Sequence, residues 1–196
     1  MMNPESSETI ILASASPRRS ELLTLAGIPF EVFIAAVEEK RGLPAPDEVR
    51  INAELKAKAV AARFPGRFVL AADTLVELDS TVLGKPSGPE DAFRMLKSLS
   101  GHTHHVLTGV TVISPEGAVF TDVDCSSVTF DPVPDAELEA YVRSGEPLDK
   151  AGAYAVQGKA ALWIRRLEGC WSSVVGLPLY MVRSLLIRSG YAGFGS

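Results

Sequence analysis

The chain has 196 residues, of which 46% are apolar, enough to bury a core of common domain size. With 19 basic against 24 acidic residues the formal net charge is −5, which excludes a surface built throughout to coat nucleic acid or an anionic membrane, though not a local basic cluster. No apolar run reaches the ~18 residues of a membrane span, residues 1–8 are polar and acidic rather than a secretory leader, and two cysteines, Cys125 and Cys170, are too few for a disulfide framework or a zinc site. A soluble, reduced, cytoplasmic chain is the expectation.

The apolar run Ile10-Ile11-Leu12-Ala13 predicts a buried strand. Ser16 and Pro17 suit an N-cap and first helical position, with Leu22, Leu23 and Ala26 as the buried stripe and Gly27 as the stop. A second strand is expected over residues 30–37. A helix over 46–63 follows, with Ile51, Leu55, Ala59 and Ala62 on one face and Pro65-Gly66 at its end. Residues 68–72 predict a third buried strand running into Asp73 and Thr74. A short helix after Pro89 turns Ala92, Phe93, Leu96 and Leu99 inward and ends at Gly101. Residues 106–113 and 118–130, separated by Ser114-Pro115-Glu116-Gly117, read as a long antiparallel hairpin. A helix over 134–144, a strand over 160–166, a turn at Glu168-Gly169 and a last helix over 179–189 complete the chain. Alternating βα units followed by a hairpin predict an α/β chain with a mixed sheet in two lobes.

Chemistry is suggested first by Ser14-Ala15-Ser16-Pro17-Arg18-Arg19, between a buried strand and a helix start. A helix N-terminus carries partial positive charge and unpaired N–H groups, so Arg18 and Arg19 there are unfavourable without an anion, for which phosphate is the natural partner. The alternative is a solvated basic turn. Asp73 ends a buried strand, where α/β sheets collect ligands, and either holds a metal, takes a proton or caps a turn. Glu38-Glu39 follows another predicted strand. If Glu38 converges with Asp73, the two supply hard oxygen ligands suited to Mg²⁺ shared with phosphates; otherwise Glu38 and Glu39 are a solvated pair. Lys56 and Lys85 are candidate phosphate ligands or surface lysines. Gly84-Lys85-Pro86 lacks P-loop spacing. His102, His104 and His105 read as loop or strand-edge residues rather than a metal site, and no aromatic residues interleave with a basic stripe.

These segments occur in one order with Lys56-Ala57-Lys58-Ala59, Leu99-Ser100-Gly101-His102, Thr108-Gly109-Val110, Asp149-Lys150-Ala151-Gly152-Ala153-Tyr154, Val156-Gln157-Gly158 and Val175-Gly176-Leu177-Pro178. The pattern strongly resembles the Maf family of nucleoside triphosphate pyrophosphatases, over about residues 10 to 180. The resemblance implies a single domain over residues 1–196 whose two lobes do not fold independently. Its fold is a mixed twisted sheet with flanking helices around a cleft, related to inosine triphosphatase-type pyrophosphatases. It also implies hydrolysis between the α- and β-phosphates with a divalent cation, Mg²⁺ or Mn²⁺. Arg18, Thr74 and Gln157 match the dTTP/UTP branch; Ala155-Val156 departs from the usual pattern and bears on pocket shape. The implied site has Asp73, Lys85 and Lys56 as catalytic residues, Ser14, Arg18, Arg19, Thr74 and Gln157 on the substrate, and Glu38 with Asp73 on the metal. Partners are then a nucleoside triphosphate and possible second copies of the chain as a homodimer, with no nucleic acid or membrane. A 7-methyl-GTP pyrophosphatase and a non-catalytic nucleotide-binding regulator of cell division are the competing functions.

Overall fold

A computed structural model describes residues 9–34 and 36–194. The expectation for residues 1–8, that they are no secretory leader, lies outside the described residues, as does position 35 of the predicted second strand. Chain order runs β1 (Ile10–Leu12), α1 (Pro17–Leu25), β2 (Phe30–Val32), α2 (Ala45–Ala61), β3 (Val69–Leu78), β4 (Thr81–Leu83) and α3 (Pro89–Leu99). It continues through β5 (Thr103–Ile113), β6 (Val119–Phe130), α4 (Asp135–Arg143), three 3-10 turns (Glu146–Asp149, Ala151–Ala153, Lys159–Trp163), β7 (Ile164–Glu168), α5 (Trp171–Val175) and α6 (Leu179–Arg188).

Among the described residues the strands form one mixed sheet in the order β2-β1-β3-β5-β6-β7, with β4 on β3. β1 is parallel to both β2 and β3, pairing Ile10 with Phe30 and Ile11 with Val69. β4 and β7 run antiparallel to β3 and β6. The β5–β6 hairpin forms as predicted: Thr111 faces Thr121 and Thr103 faces Thr129, a constant antiparallel register, and Ser114 N donates to Ala118 O across the turn.

The chain divides into two compact units: residues 1–73, 108–124 and 176–196, and residues 74–107 and 125–175. The core of the first packs Ile11, Ala13, Val69, Ala71 and Ile113 from the sheet against Ala57 and Val60 of α2, flanked by Phe33 and Phe64. Its helix face differs from the predicted one. Val49, Ala53, Ala57 and Val60 are buried, while Ile51, Leu55 and Ala59 are half-buried and Ala62 is exposed. Close approach explains this: a Cβ on Gly109 of β5 would lie 2.5 Å from Val49 O, so α2 presses its small residues onto the strand and its larger ones go to the flanks.

The second unit is centred on aromatic side chains. Phe130 packs edge-on against His104 and Tyr154, with ring centroids 5.1 and 4.9 Å away, and Trp163 packs edge-on against Tyr141 at 5.1 Å. His104 is therefore core, not strand edge: it has no exposed surface and its Nε2 meets Tyr154 Oη at 2.8 Å. Burial, then His105, lower its pKa to about 4. Other boundaries move as well. β2 stops at Val32, Ala26 is exposed, and residues 159–163 form a 3-10 turn ahead of β7 because Trp163 must reach Tyr141 while its carbonyl accepts from Asp131 N.

Candidate active site

β1 delivers the chain into the turn Ser14-Ala15-Ser16 ahead of α1. Pro17 occupies the first turn of α1, and Ser16 stands at its N-cap without a side-chain cap bond, so the helix entrance is held by other means. Ser14 Oγ accepts from Ser16 N at 3.2 Å and from Arg19 Nη1 at 2.9 Å, while Arg19 Nε donates to Gly176 O at 2.9 Å. Arg19 is thereby buried and locked. Burial pulls the proton affinity of its guanidinium down, Asp73 opposes that, Arg18 adds to it and Glu39 opposes it again. Arg19 therefore feels one further arginine and two carboxylates.

β3 carries Asp73 within the strand rather than at its end, because the strand runs on to Leu78 to pair with β4, and Asp73 is nearly buried. Its Oδ1 accepts from Lys56 Nζ at 2.6 Å and its Oδ2 from Asn52 Nδ2 at 3.3 Å. The same ammonium lies 2.7 Å from Glu39 Oε1, and Arg41 meets Glu39 Oε2 at 2.5 Å. Glu39, not Glu38, is thus the acid that joins Asp73. Glu38 is exposed, and among the described residues no hydrogen bond or ion pair engages it. The cause is the loop before α2. Asn52 has no exposed surface, and its amide grips Lys40 from both sides, accepting from Lys40 N at 2.7 Å and donating to Lys40 O at 3.1 Å. Glu48 holds the next stretch through Leu43 N at 3.4 Å and Arg41 at 3.6 Å. Glu48, Asn52 and Lys56 are spaced four apart, so they form one polar stripe along α2 that fastens the acidic loop. Asn52 and Glu48 are the positions of this cluster that the sequence reading missed, and Glu39 stood there only as half of a pair with Glu38. The signal was available as a polar residue every fourth position on a helix whose adjoining face is apolar.

Ser14, Arg18, Arg19, Lys56 and Asp73 thus belong to one cluster in the first unit. Thr74, Lys85 and Gln157 belong to the second unit. There Lys85 is exposed in the turn after β4, and its neighbour Gly84 accepts from Gly152 N at 3.1 Å, joining that turn to the loop that leads to Gln157. Gly152 adopts φ +66°, and a Cβ on it would lie 2.8 Å from Val76, so glycine is required twice over. Gln157 is exposed, and Thr74 is half-buried in β3.

The donor set fits a hard divalent ion. Glu39 and Asp73 each turn one oxygen toward the Lys56 ammonium, and Mg²⁺ characteristically uses one or two such carboxylates and completes its shell with phosphate oxygens and water. Among the described residues no group of three or more His, Cys, Asp or Glu gathers as a self-sufficient metal centre, and both cysteines are free thiols. No helix among them is long and apolar enough to cross a membrane.

A dTTP/UTP pyrophosphatase of Nitratidesulfovibrio vulgaris is 47% identical over 188 residues, covering 92% of this chain and 88% of the relative. One from Bacillus mycoides is 48% identical over 179 residues, covering 90% and 93%. Among solved structures, a HAM1 protein from Coxiella burnetii superposes with a TM-score of 0.51 at 16% identity over 92% of this chain and 98% of that one, a likeness of fold. The Maf-like protein family model matches residues 9–189, and the chain belongs to the Maf family.

Proposed function

We propose that the protein hydrolyses dTTP and UTP to the nucleoside monophosphate and pyrophosphate. The observation that carries this is the convergence of Glu39 and Asp73 on Lys56 within the electrostatic reach of Arg19, which also feels Arg18. The relatives named dTTP/UTP pyrophosphatase, aligned over nearly the whole chain, support the choice of nucleotides.

The triphosphate tail carries several negative charges that must be neutralised before water can attack. Arg18, the N–H groups opening α1 and the Ser14 hydroxyl bind phosphate oxygens. Arg19, spanning Ser14 and Gly176, keeps that cradle in shape while contributing charge. Lys56 offsets the mutual repulsion of Glu39 and Asp73 and gives the incoming phosphates a cation. Asp73 accepts the proton of the attacking water. Glu39 and Asp73 would hold a divalent cation, which when bound would supply neutralising charge to the polyphosphate. Lys85 stabilises the leaving pyrophosphate, and Gln157 with Thr74 reads the pyrimidine edge, where a wrong base leaves the site's polar groups unpaired. The same proposal places the enzyme in the cytoplasm, where nucleoside triphosphates are made, as one domain over residues 1–196 that pairs as a homodimer and binds no nucleic acid.

Pyrophosphate release by Asp73→Asn tests the chemistry: it is expected to vanish while the melting curve is retained. Normal turnover by that variant refutes the assignment. Absence of release from the native chain with every triphosphate tried would leave a binding protein instead. Chelation should stop the reaction, and Mg²⁺ or Mn²⁺ should restore it.

A further inference from the structure

The turn that displays Gln157 is held from outside by two side chains bonded to each other. Within the turn, Gly158 N donates to Ala155 O at 3.1 Å. Two residues before Gln157, Ala155 N donates to Tyr141 Oη at 3.3 Å; two residues after it, Lys159 N donates to Glu146 Oε1 at 3.2 Å. Tyr141 Oη closes the circuit by donating to Glu146 Oε1 at 3.0 Å. Both backbone donors that bracket Gln157 therefore end on one phenol–carboxylate pair.

That pair is itself well anchored. Tyr141 is buried on α4, its ring edge-on to Trp163. Burial first, and then the bond to Glu146, push its hydroxyl far above the usual range, so it remains a proton donor to the carboxylate. Glu146 begins the 3-10 turn after Gly145, whose φ of +76° lets the chain reverse out of α4. Lys150 Nζ then donates to Glu146 O and to Asp149 Oδ1, each at 2.6 Å, and braces the same turn. Gly158 shows how tightly the carboxylate is seated. Its φ of −100° suits any residue, yet a Cβ there would lie 1.9 Å from Glu146 Oε1. Glycine follows Gln157 to make room for Glu146, not to relieve the backbone.

A glutamine on a mobile turn has several rotatable bonds and discriminates bases poorly, since selection by hydrogen bonding needs the amide held within about 0.5 Å of its working place. Main-chain fixation on both sides of an exposed Gln157 meets that need. We propose that Tyr141 and Glu146 are specificity-positioning residues: their clasp sets the Gln157 amide and thereby the enzyme's preference for pyrimidine over purine triphosphates. This rests on Gln157 contacting the base.

The test measures pyrophosphate release by the full chain with UTP, dTTP, GTP and dATP, taking the pyrimidine-to-purine ratio of kcat/KM. Gln157→Ala is expected to lower the ratio about tenfold to a hundredfold. Glu146→Ala should lower it comparably, mainly through KM for the pyrimidine nucleotides. Glu146→Gln, which keeps an acceptor for Tyr141 and Lys159 N, should restore it to within about twofold. In a Gln157→Ala background, Glu146→Ala should change the ratio no further. Tyr141→Phe, which keeps the buried ring, serves as the second probe if Glu146→Ala does not fold. A ratio lowered by Gln157→Ala but untouched by folded Glu146→Ala or Tyr141→Phe overturns the clasp and leaves base reading by Gln157 intact. A ratio untouched by Gln157→Ala overturns both.

Discussion

Replacing Asn52 by leucine separates a residue that merely fills the core from one that places Glu39. The side chains are similar in size, so the buried site stays filled, but three hydrogen bonds go: from Lys40 N, to Lys40 O and to Asp73 Oδ2. Net losses of about 0.5–1.5 kcal/mol per bond, and the cost of leaving a buried carboxylate oxygen short of a donor, are partly offset by about 1.5–3 kcal/mol from burying an apolar side chain. Lys40 is exposed, so water recovers its peptide groups, whereas Asp73 is nearly buried and recovers less. A net destabilisation of about 1–3 kcal/mol is expected, read from urea unfolding with an unchanged slope. The kinetic effect should be larger, because the loop bearing Glu39 loses its grip: kcat/KM should fall about a hundredfold. Trypsin should cut after Lys40 and Arg41 faster than in the native chain. A folded variant with the expected loss of stability but kcat/KM within about twofold of native would refute the reasoning, since the loop would then be held without Asn52.

Other outcomes follow from single contacts. His104 has its pKa lowered to about 4 by burial, against 6.5 for the free side chain. The unfolded state therefore binds the proton more tightly, and stability is full above pH 6.5 and falls as pH drops through 4, by about 3 kcal/mol for this group. Urea unfolding of His104→Phe should show a correspondingly shallower loss between pH 7 and 4, and an identical slope would contradict it. Gly109→Ala would push a Cβ to 2.5 Å from Val49 O and 2.9 Å from Arg50 N, both backbone, so a loss of about 1–3 kcal/mol or more is expected in melting, with reduced turnover because α2 carries Lys56. Arg19→Lys keeps the charge but loses the bonds to Ser14 and Gly176, so KM for the nucleotide should rise about tenfold or more; an unchanged KM would reduce Arg19 to a point charge.

Much of the fold was legible because its signals are local. Apolar runs marked β1 and β3, Pro17 and Pro89 marked helix starts, and Ser114-Pro115-Glu116-Gly117 marked the hairpin turn. What escaped depends on partners distant in sequence. α2 turns a face of small residues to the sheet because β5 has glycine at 109 to receive it, and periodicity alone favoured the larger Ile51 and Leu55. Residues 159–163 are apolar enough for a strand but are drawn into a turn by Glu146 on Lys159 N and by the burial of Trp163.

The site shows the same division between chemistry and aim. Residue types sufficed to single out Ser14, Arg18, Arg19 and Asp73, since a basic helix entrance and an acid after a buried apolar run demand partners wherever they lie, whereas Lys56 stood between phosphate ligand and surface lysine until the family resemblance named it. Choosing between Glu38 and Glu39 did not follow from type, because both are acids in the same loop and differ only in direction. That direction is set thirteen residues later by Asn52, whose amide can satisfy Lys40 N and Lys40 O together only in one loop conformation. In that conformation Glu39 reaches Lys56, one turn further along the helix from Asn52. The buried asparagine thus positions the Glu39–Lys56–Asp73 cluster: with no exposed surface, it has a use for all its bonds only if the loop and Asp73 are held at once.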